Sequence, residues 1–174
     1  INAPKLTSEQ SEIHQALIES VGSNITLKYP KNGEYRSAYV IANIDDEPTD
    51  EAMVFYEYTS NGSEEDGLRV NILDKDEKGK WYSVKELAGA GTDIDQVIIS
   101  PMGSNNQTDV FVGYQNLTND EKTMEIYSYT DGDFKRVALD TYSVLEPLDI
   151  NNDGYIELIT IQRSTNNDTG AVTA

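Results

Sequence analysis

The chain has 174 residues, enough for one domain with a real core. Its 31 acidic residues against 13 basic ones give a formal charge of −18, which argues against nucleic acid or an anionic membrane face, since both need clustered Lys and Arg. Without cysteine there is no disulfide framework and no thiolate metal site, and 11 tyrosines set the chain apart from disordered acidic tails.

No apolar run is long enough to cross a bilayer as a helix. The start at Ile1 rather than Met is read as the mark of a removed segment: a signal peptide, a lipid anchor or a cloning trim. After a short lead-in, Thr7 or Ser8 is placed to cap a helix, and Thr7 with Gln10 fits a capping box. Ile13, Ala16, Leu17 and Val21 form one apolar stripe, and Gly22 suits the position after the last turn. The spacing therefore predicts a helix over 8–21. His14 lies on it beside Gln15 and is read as a surface or packing residue.

Beyond Gly22 the pattern turns to alternation. A strand is expected over 25–29, ended by Pro30, then a hairpin turn at Lys31-Asn32-Gly33-Glu34 on the strength of Asn-Gly. Strands follow over 35–44, 51–59, 68–73 and 80–87, parted by an acidic turn (45–50), a polar loop (60–67) and a turn (74–79). Ala88-Gly89-Ala90-Gly91 marks a break. A second pass gives strands over 95–100, 109–115, 123–129 and 134–139, with loops at 101–107 and 116–122 and a tight turn at Asp131-Gly132. A third pass runs from Tyr142 to Gln162 and ends in a polar tail, Ser164 to Ala174.

The three passes superpose without gaps around their first loop. Ala42 to Glu51 aligns with Leu148 to Glu157, and Asp109 falls at the place of Glu51 and Glu157. Gly79-Lys80-Trp81 matches Gly132-Asp133-Phe134, a turn glycine followed two residues on by a large aromatic, which is expected to wedge between blades. Four short strands recurring at roughly 40–50 residues is the period of a propeller blade. The expected fold is mainly β: a β-propeller-like array of about 2.5–3 four-stranded antiparallel blades with one N-terminal helix, an incomplete or open propeller. The lead-in and helix occupy 1–24. The blade repeats occupy 25–174, at about 35–90, 91–140 and 141–174. The strand at 25–30 is a candidate to complete an end blade.

The best-formed loop is Asp149-Ile150-Asn151-Asn152-Asp153-Gly154-Tyr155-Ile156-Glu157. Oxygen side chains stand at its first, third and fifth positions, a glycine at the sixth and a carboxylate at the ninth. Hard cations take six to eight oxygens, and Asp149, Asn151, Asp153, the Tyr155 carbonyl and Glu157 supply that kind of set for Ca²⁺. The competing reading is an Asx-rich turn whose side chains bind backbone N–H groups with no ion. The first loop keeps Asn43, Asp45, Glu47 and Glu51 in the same frame but has Pro48 where the glycine stood. It is the weaker second metal candidate, because proline cannot take a positive φ. The middle loop offers Pro101, Gly103, Asn105 and Gln107 and is expected to hold no ion.

A strand, a D-x-[DN]-x-D-G-x-x-[DE] loop and an apolar strand, repeated in four-stranded units over residues 35–162, resemble the FG-GAP/VCBS repeats of integrin-type propellers and bacterial surface proteins. The closest match lies at 144–162. The resemblance implies calcium at the third loop and a place outside the cell. The helix with its missing start is similar to that of lipoproteins whose anchor has been cut away.

Catalytic signatures are not present: no cysteine, one histidine without a partner motif, no Gly-x-Ser-x-Gly, no phosphate loop. The expected function is a non-catalytic cell-surface or secreted binding module with a structural calcium loop, its partner a protein or a glycan. Tyr35, Tyr39, Tyr56 and Tyr58 are candidates for stacking on sugars, with packing in the core or on a strand face the leading reading for most of them. A carboxylate-based hydrolase of carbohydrates and a scaffold domain of a larger protein are the alternatives.

Overall fold

The computed structural model describes residues 5–59, 67–102, 107–116 and 121–162, with the backbone of 164–165 and 172–173. Residues 60–66 of the polar loop, 103–106 of the middle acidic loop, 117–120 and most of the tail lie outside the described residues. So does the first part of the lead-in, and the expectation that the middle loop holds no ion rests largely on residues that are not described. Among the described residues the chain is mainly β with one helix, and its sheets are antiparallel. Its contacts divide it into two compact units.

The first unit comprises Ile1–Tyr29, Ser37–Asn43 and Glu47–Gly89. Helix α1 (Ser8–Val21) opens as its capping box predicts: the Thr7 hydroxyl accepts the Gln10 amide at 3.1 Å, and the Gln10 side chain accepts the Thr7 amide at 3.1 Å. It ends at Gly22, whose φ of 85° is open to glycine at little cost. Five strands make one sheet: β1 (Ile25–Leu27), β2 (Tyr39–Ala42), β3 (Glu51–Tyr58), β4 (Leu68–Lys75) and β5 (Trp81–Ala88). Ile13, Ala16 and Leu17 of α1 pack on Tyr39, Ala52, Val54, Tyr56, Leu73 and Trp81 from one sheet face. Trp81 thus lies in the core beneath α1, with the Lys75 ammonium 4.4 Å from its ring centre. That corrects its expected place as a wedge between blades.

Two further expectations fail here. β1 does not pair with β2 across an Asn-Gly hairpin, nor does it complete an end blade. Instead both strands lie along the same side of β3, β1 opposite Tyr56–Tyr58 and β2 opposite Glu51–Val54. Lys28 and Ala38 bond Phe55 from either side of the gap between them. The intervening Pro30–Arg36 belongs to the second unit. There the amides of Lys31 and Asn32 donate to the carbonyls of Ile94 and Asp95 at 3.1 and 2.8 Å. Gly33 keeps its positive φ of 79°, but these hydrogen bonds, not a strand partner, fix the turn.

The second unit comprises Pro30–Arg36, Ile44–Asp46 and Ala90–Ala174. β6 (Asp93–Pro101), β7 (Thr108–Gln115), β8 (Lys122–Thr130) and β9 (Asp133–Tyr142) form a four-stranded meander. β10 (Val144–Leu148) and β11 (Glu157–Ile161) form a two-stranded sheet, and β12 (Ser164–Thr165) pairs with β13 (Val172–Thr173). Phe111, Met124 and Tyr142, joined by Ile98 and Ile126, present one face of the meander, and Leu145 and Leu158 of the β10–β11 pair pack against it. Gly113 leaves room for Tyr142 to cross this face: a Cβ there would run into the Tyr142 hydroxyl and the Phe111 ring.

Candidate functional site

The three first loops are built alike. Ala42 pairs with Glu51, Ser100 with Asp109 and Leu148 with Glu157, so each loop spans the same number of residues between equivalent partners. A carboxylate opens or nearly opens the returning strand each time. Its job is legible in two of the loops. Glu157 Oε2 accepts the Ile150 amide at 2.8 Å, and Asp109 Oδ2 accepts the Met102 amide at 3.2 Å. Ile150 and Met102 stand at the same distance beyond their paired strand residues. Ionised carboxylates make strong acceptors for backbone N–H groups, and here they close the loop across its mouth. Glu51, 1% exposed, holds the corresponding position in the first loop.

Inside the third loop the oxygens converge on the chain itself. Asp149 accepts the amides of Asp153 at 3.1 Å and Gly154 at 3.0 Å, one on each carboxylate oxygen. Asn151 Oδ1 accepts the Asp153 amide at 3.0 Å, while its NH₂ donates to Asp153 Oδ2 at 2.9 Å. Asp153 Oδ1 accepts the Tyr155 amide at 2.9 Å. Asn152 and Gly154 take φ of 59° and 88°, values open to Asn and Gly. The structure therefore brings Asp149, Asn151 and Asp153 onto the same run of amides and sets Glu157 at the loop mouth. The donor set is all oxygen, as calcium requires, and an oxygen accepting one N–H keeps a second lone pair. Among the described residues no three His, Cys, Asp or Glu side chains are gathered as a metal centre.

The first loop is a poorer copy. Asn43 turns its NH₂ to the Glu47 carbonyl at 2.5 Å, and Pro48 replaces the glycine whose counterpart has φ of 88°. Asn43, Glu47 and Glu51 fall in the first unit and Asp45 in the second.

Other polar clusters escaped the sequence reading. Asp95, 1% exposed, accepts hydrogen bonds from Lys122 at 2.8 Å, Tyr142 at 2.6 Å and Asn32 at 2.8 Å. Burial works against its charge, but these three donors outweigh it and hold the carboxyl below its ordinary value. Burial pushes the Asp109 carboxyl up, opposed in part by the Met102 amide, and Ser128 donates its hydroxyl to the same group. Glu125, also buried, takes the Tyr127 hydroxyl at 2.5 Å and Arg136 at 2.7 Å. Apart from Tyr127, two residues from Glu125 on β8, these side-chain partners lie 11 or more residues away, so no local spacing announces the clusters.

The tyrosines divide by exposure. Tyr39 and Tyr56 are core residues and present no ring to a sugar. Tyr39 bonds His14 Nδ1 at 2.8 Å, which makes His14 a packing residue, and burial pushes the Tyr39 phenol up to about 12. Tyr58 and Tyr35 are half-buried, Tyr58 donating to Glu86 at 2.6 Å. Tyr29 and Tyr82 are the exposed ones. In the second unit a cleft of about 280 Å³ is lined by Glu34, Tyr35, β6 residues, Pro147 and Ile156. No helix among the described residues is long and apolar enough to cross a membrane. No family model, no curated protein and no solved structure matches the chain.

Proposed function

We propose that the chain is a non-catalytic binding module of an extracellular or cell-surface protein, built from FG-GAP/VCBS-type blades, with calcium stiffening the loop from Asp149 to Glu157. The observation that carries this reading is the recurrence of one loop span between paired strand residues, the last copy of which turns Asp149, Asn151 and Asp153 onto its own backbone amides. Calcium would be held by Asp149, Asn151, Asp153, Glu157 and the Tyr155 carbonyl, and it would supply rigidity. The backbone bonds already made by these side chains pre-shape the turn, and the ion replaces repulsion among three carboxylates with attraction. A protein or glycan is the proposed partner, and the exposed rings of Tyr29 and Tyr82 offer flat surfaces of the kind sugars stack on.

A calcium titration of the melting temperature tests the site. Binding to the folded state alone adds about 2.7 kcal/mol at a hundredfold excess over Kd. In a chain of this size that raises Tm by roughly 5–10 °C. No rise at millimolar calcium, or the same rise in Asp153→Ala, overturns the assignment. A glycan array with the calcium-loaded chain tests the partner class.

A further inference from the structure

β6 is an edge strand of the meander, and the chain itself uses its outer edge at both ends. Near the start, the Ile94 and Asp95 carbonyls accept the amides of Lys31 and Asn32. At the end, the Pro101 carbonyl accepts the Ile156 amide at 3.1 Å. Main-chain groups of successive residues in an antiparallel strand face opposite sides, and the register with β7 is unbroken from Gln96 to Pro101. With Pro101 turned outward, Ile99 and Val97 are turned outward as well. A Cβ built on Gly33 would lie 3.8 Å from the Val97 carbonyl oxygen, which agrees with that orientation. Among the described residues nothing bonds the outward amides and carbonyls of Val97 and Ile99, although Val97 is only 1% exposed. Buried main-chain groups are nearly always paired. Beside these lies the cleft of about 280 Å³, whose further walls include Glu34, Tyr35, Pro147 and Ile156.

We propose that this cleft binds a short extended peptide, which adds to the outer edge of β6 between the two contacts the chain makes for itself. The ligand's backbone exchanges hydrogen bonds with Ile99, which is half-buried, and reaches Val97 at the inner end. Two N–H and two C=O groups repeated at roughly 7 Å, the spacing of alternate strand residues, match a peptide backbone. The amides of Lys31, Asn32 and Ile156 supply the same chemistry on either side. Strand addition of this kind draws affinity from the main chain and specificity from alternate side chains. Ile98, Pro147 and Ile156 line the cleft, so the ligand carries β-branched aliphatics at alternate positions. This ligand class narrows the protein-or-glycan partner proposed above, on which it rests, and it requires no calcium.

The probe is an acetylated, amidated peptide of alternating threonine and valine, neutral so that the charge of −18 does not draw it. Amide NMR signals of Val97 and Ile99 are followed as it is added to the full chain. Both should shift, and the Ile99 amide should exchange with deuterium at least about tenfold more slowly once the cleft is filled. Methylating the peptide nitrogens at alternate positions should weaken binding at least about tenfold, while methylating the intervening ones should not. Ile99→Pro removes an amide that points away from β7, so it should keep the fold and lose the peptide. If that variant unfolds, the methylated peptides decide. No shift at millimolar peptide, or equal loss at every methylated position, overturns the proposal. An Ile99 amide already slow in the free monomer overturns it, because this chain's own residues then hold the edge. One that slows only as the chain self-associates overturns it in favour of a second copy. An oligosaccharide that moves these amides where the peptide does not overturns the peptide and leaves the binding-module reading standing.

Discussion

Asp95 is the residue on which the second unit's polar interior turns. Three donors from three separate stretches, Asn32, Lys122 and Tyr142, meet on one carboxylate that is almost wholly removed from water. A buried charge is tolerable only when paired and hydrogen-bonded, and removing one member of such a set typically costs about 3 kcal/mol. Asp95→Asn should cost about that at pH 7. The sign of the pH dependence follows from the shift. The folded carboxyl sits below its unfolded value of about 3.9, so its contribution is complete above that value and is lost as pH falls through the folded value. Urea unfolding of wild type and Asp95→Asn at pH 7 and pH 3 should show a stability gap that shrinks in acid. A gap of equal size at both pH values would mean that packing, not the charge, is what Asp95 contributes. Little of this is legible in sequence. Asp95 reads as the first residue of a strand, and its donors lie tens of residues away on either side.

Elements fare better when their signals are local. The helix is written in full at its ends, Thr7 with Gln10 at one and Gly22 at the other, and the apolar stripe between them is the face that packs. Strand alternation also places β5, whose positions alternate in burial, whereas β3 and β7 are buried on both faces and are read from their apolar and aromatic runs. The Asn32-Gly33 turn shows where local chemistry stops deciding. Gly33 adopts the left-handed φ that Asn-Gly invites, yet the residues on either side have no strand partner across it, since Lys31 and Asn32 are held by Ile94, Asp95 and the carboxylates of Asp93 and Asp95. The candidate site was legible in residue choice and spacing, but the sequence could not say whether Glu157 faces an ion or an amide. At the seam between the meander and β10–β11, Gly113 has a measurable consequence. Gly113→Ala forces Tyr142 off Asp95 and should cost about 2 kcal/mol, the usual size of overpacking. Because the clash and the hydrogen bond involve the same hydroxyl, Gly113→Ala with Tyr142→Phe should destabilise by less than the sum of the two single changes. Strict additivity in that double-mutant cycle would place the strain elsewhere.

For the whole molecule, charge sets the background against which any ion effect is measured. A net −18 on 174 residues makes the folded state repel itself, and dissolved salt weakens that repulsion within a screening length of about 8–10 Å. The ion pairs work in the other direction. Lys28–Glu57, Lys31–Asp93 and Lys135–Asp131 are at least partly exposed and lose strength in salt, but surface pairs of this kind contribute little. With acidic residues more than twice as numerous as basic ones, repulsion dominates, so Tm should rise by several degrees between about 10 and 150 mM sodium chloride. The same screening will make any divalent cation stabilise the chain at low salt, which is why a calcium effect has meaning only after sodium has already done this work. At 150 mM sodium chloride the general contribution is nearly spent. The proposed calcium loop should still distinguish calcium from magnesium, because magnesium demands a tighter octahedron and keeps its water. Calcium should therefore raise Tm at that ionic strength where equal magnesium raises it by less than half as much, and Glu157→Gln should reduce the calcium increment while leaving the sodium response intact. Equal increments from the two ions, both erased by sodium, would show that the third loop behaves as one more patch of an acidic surface.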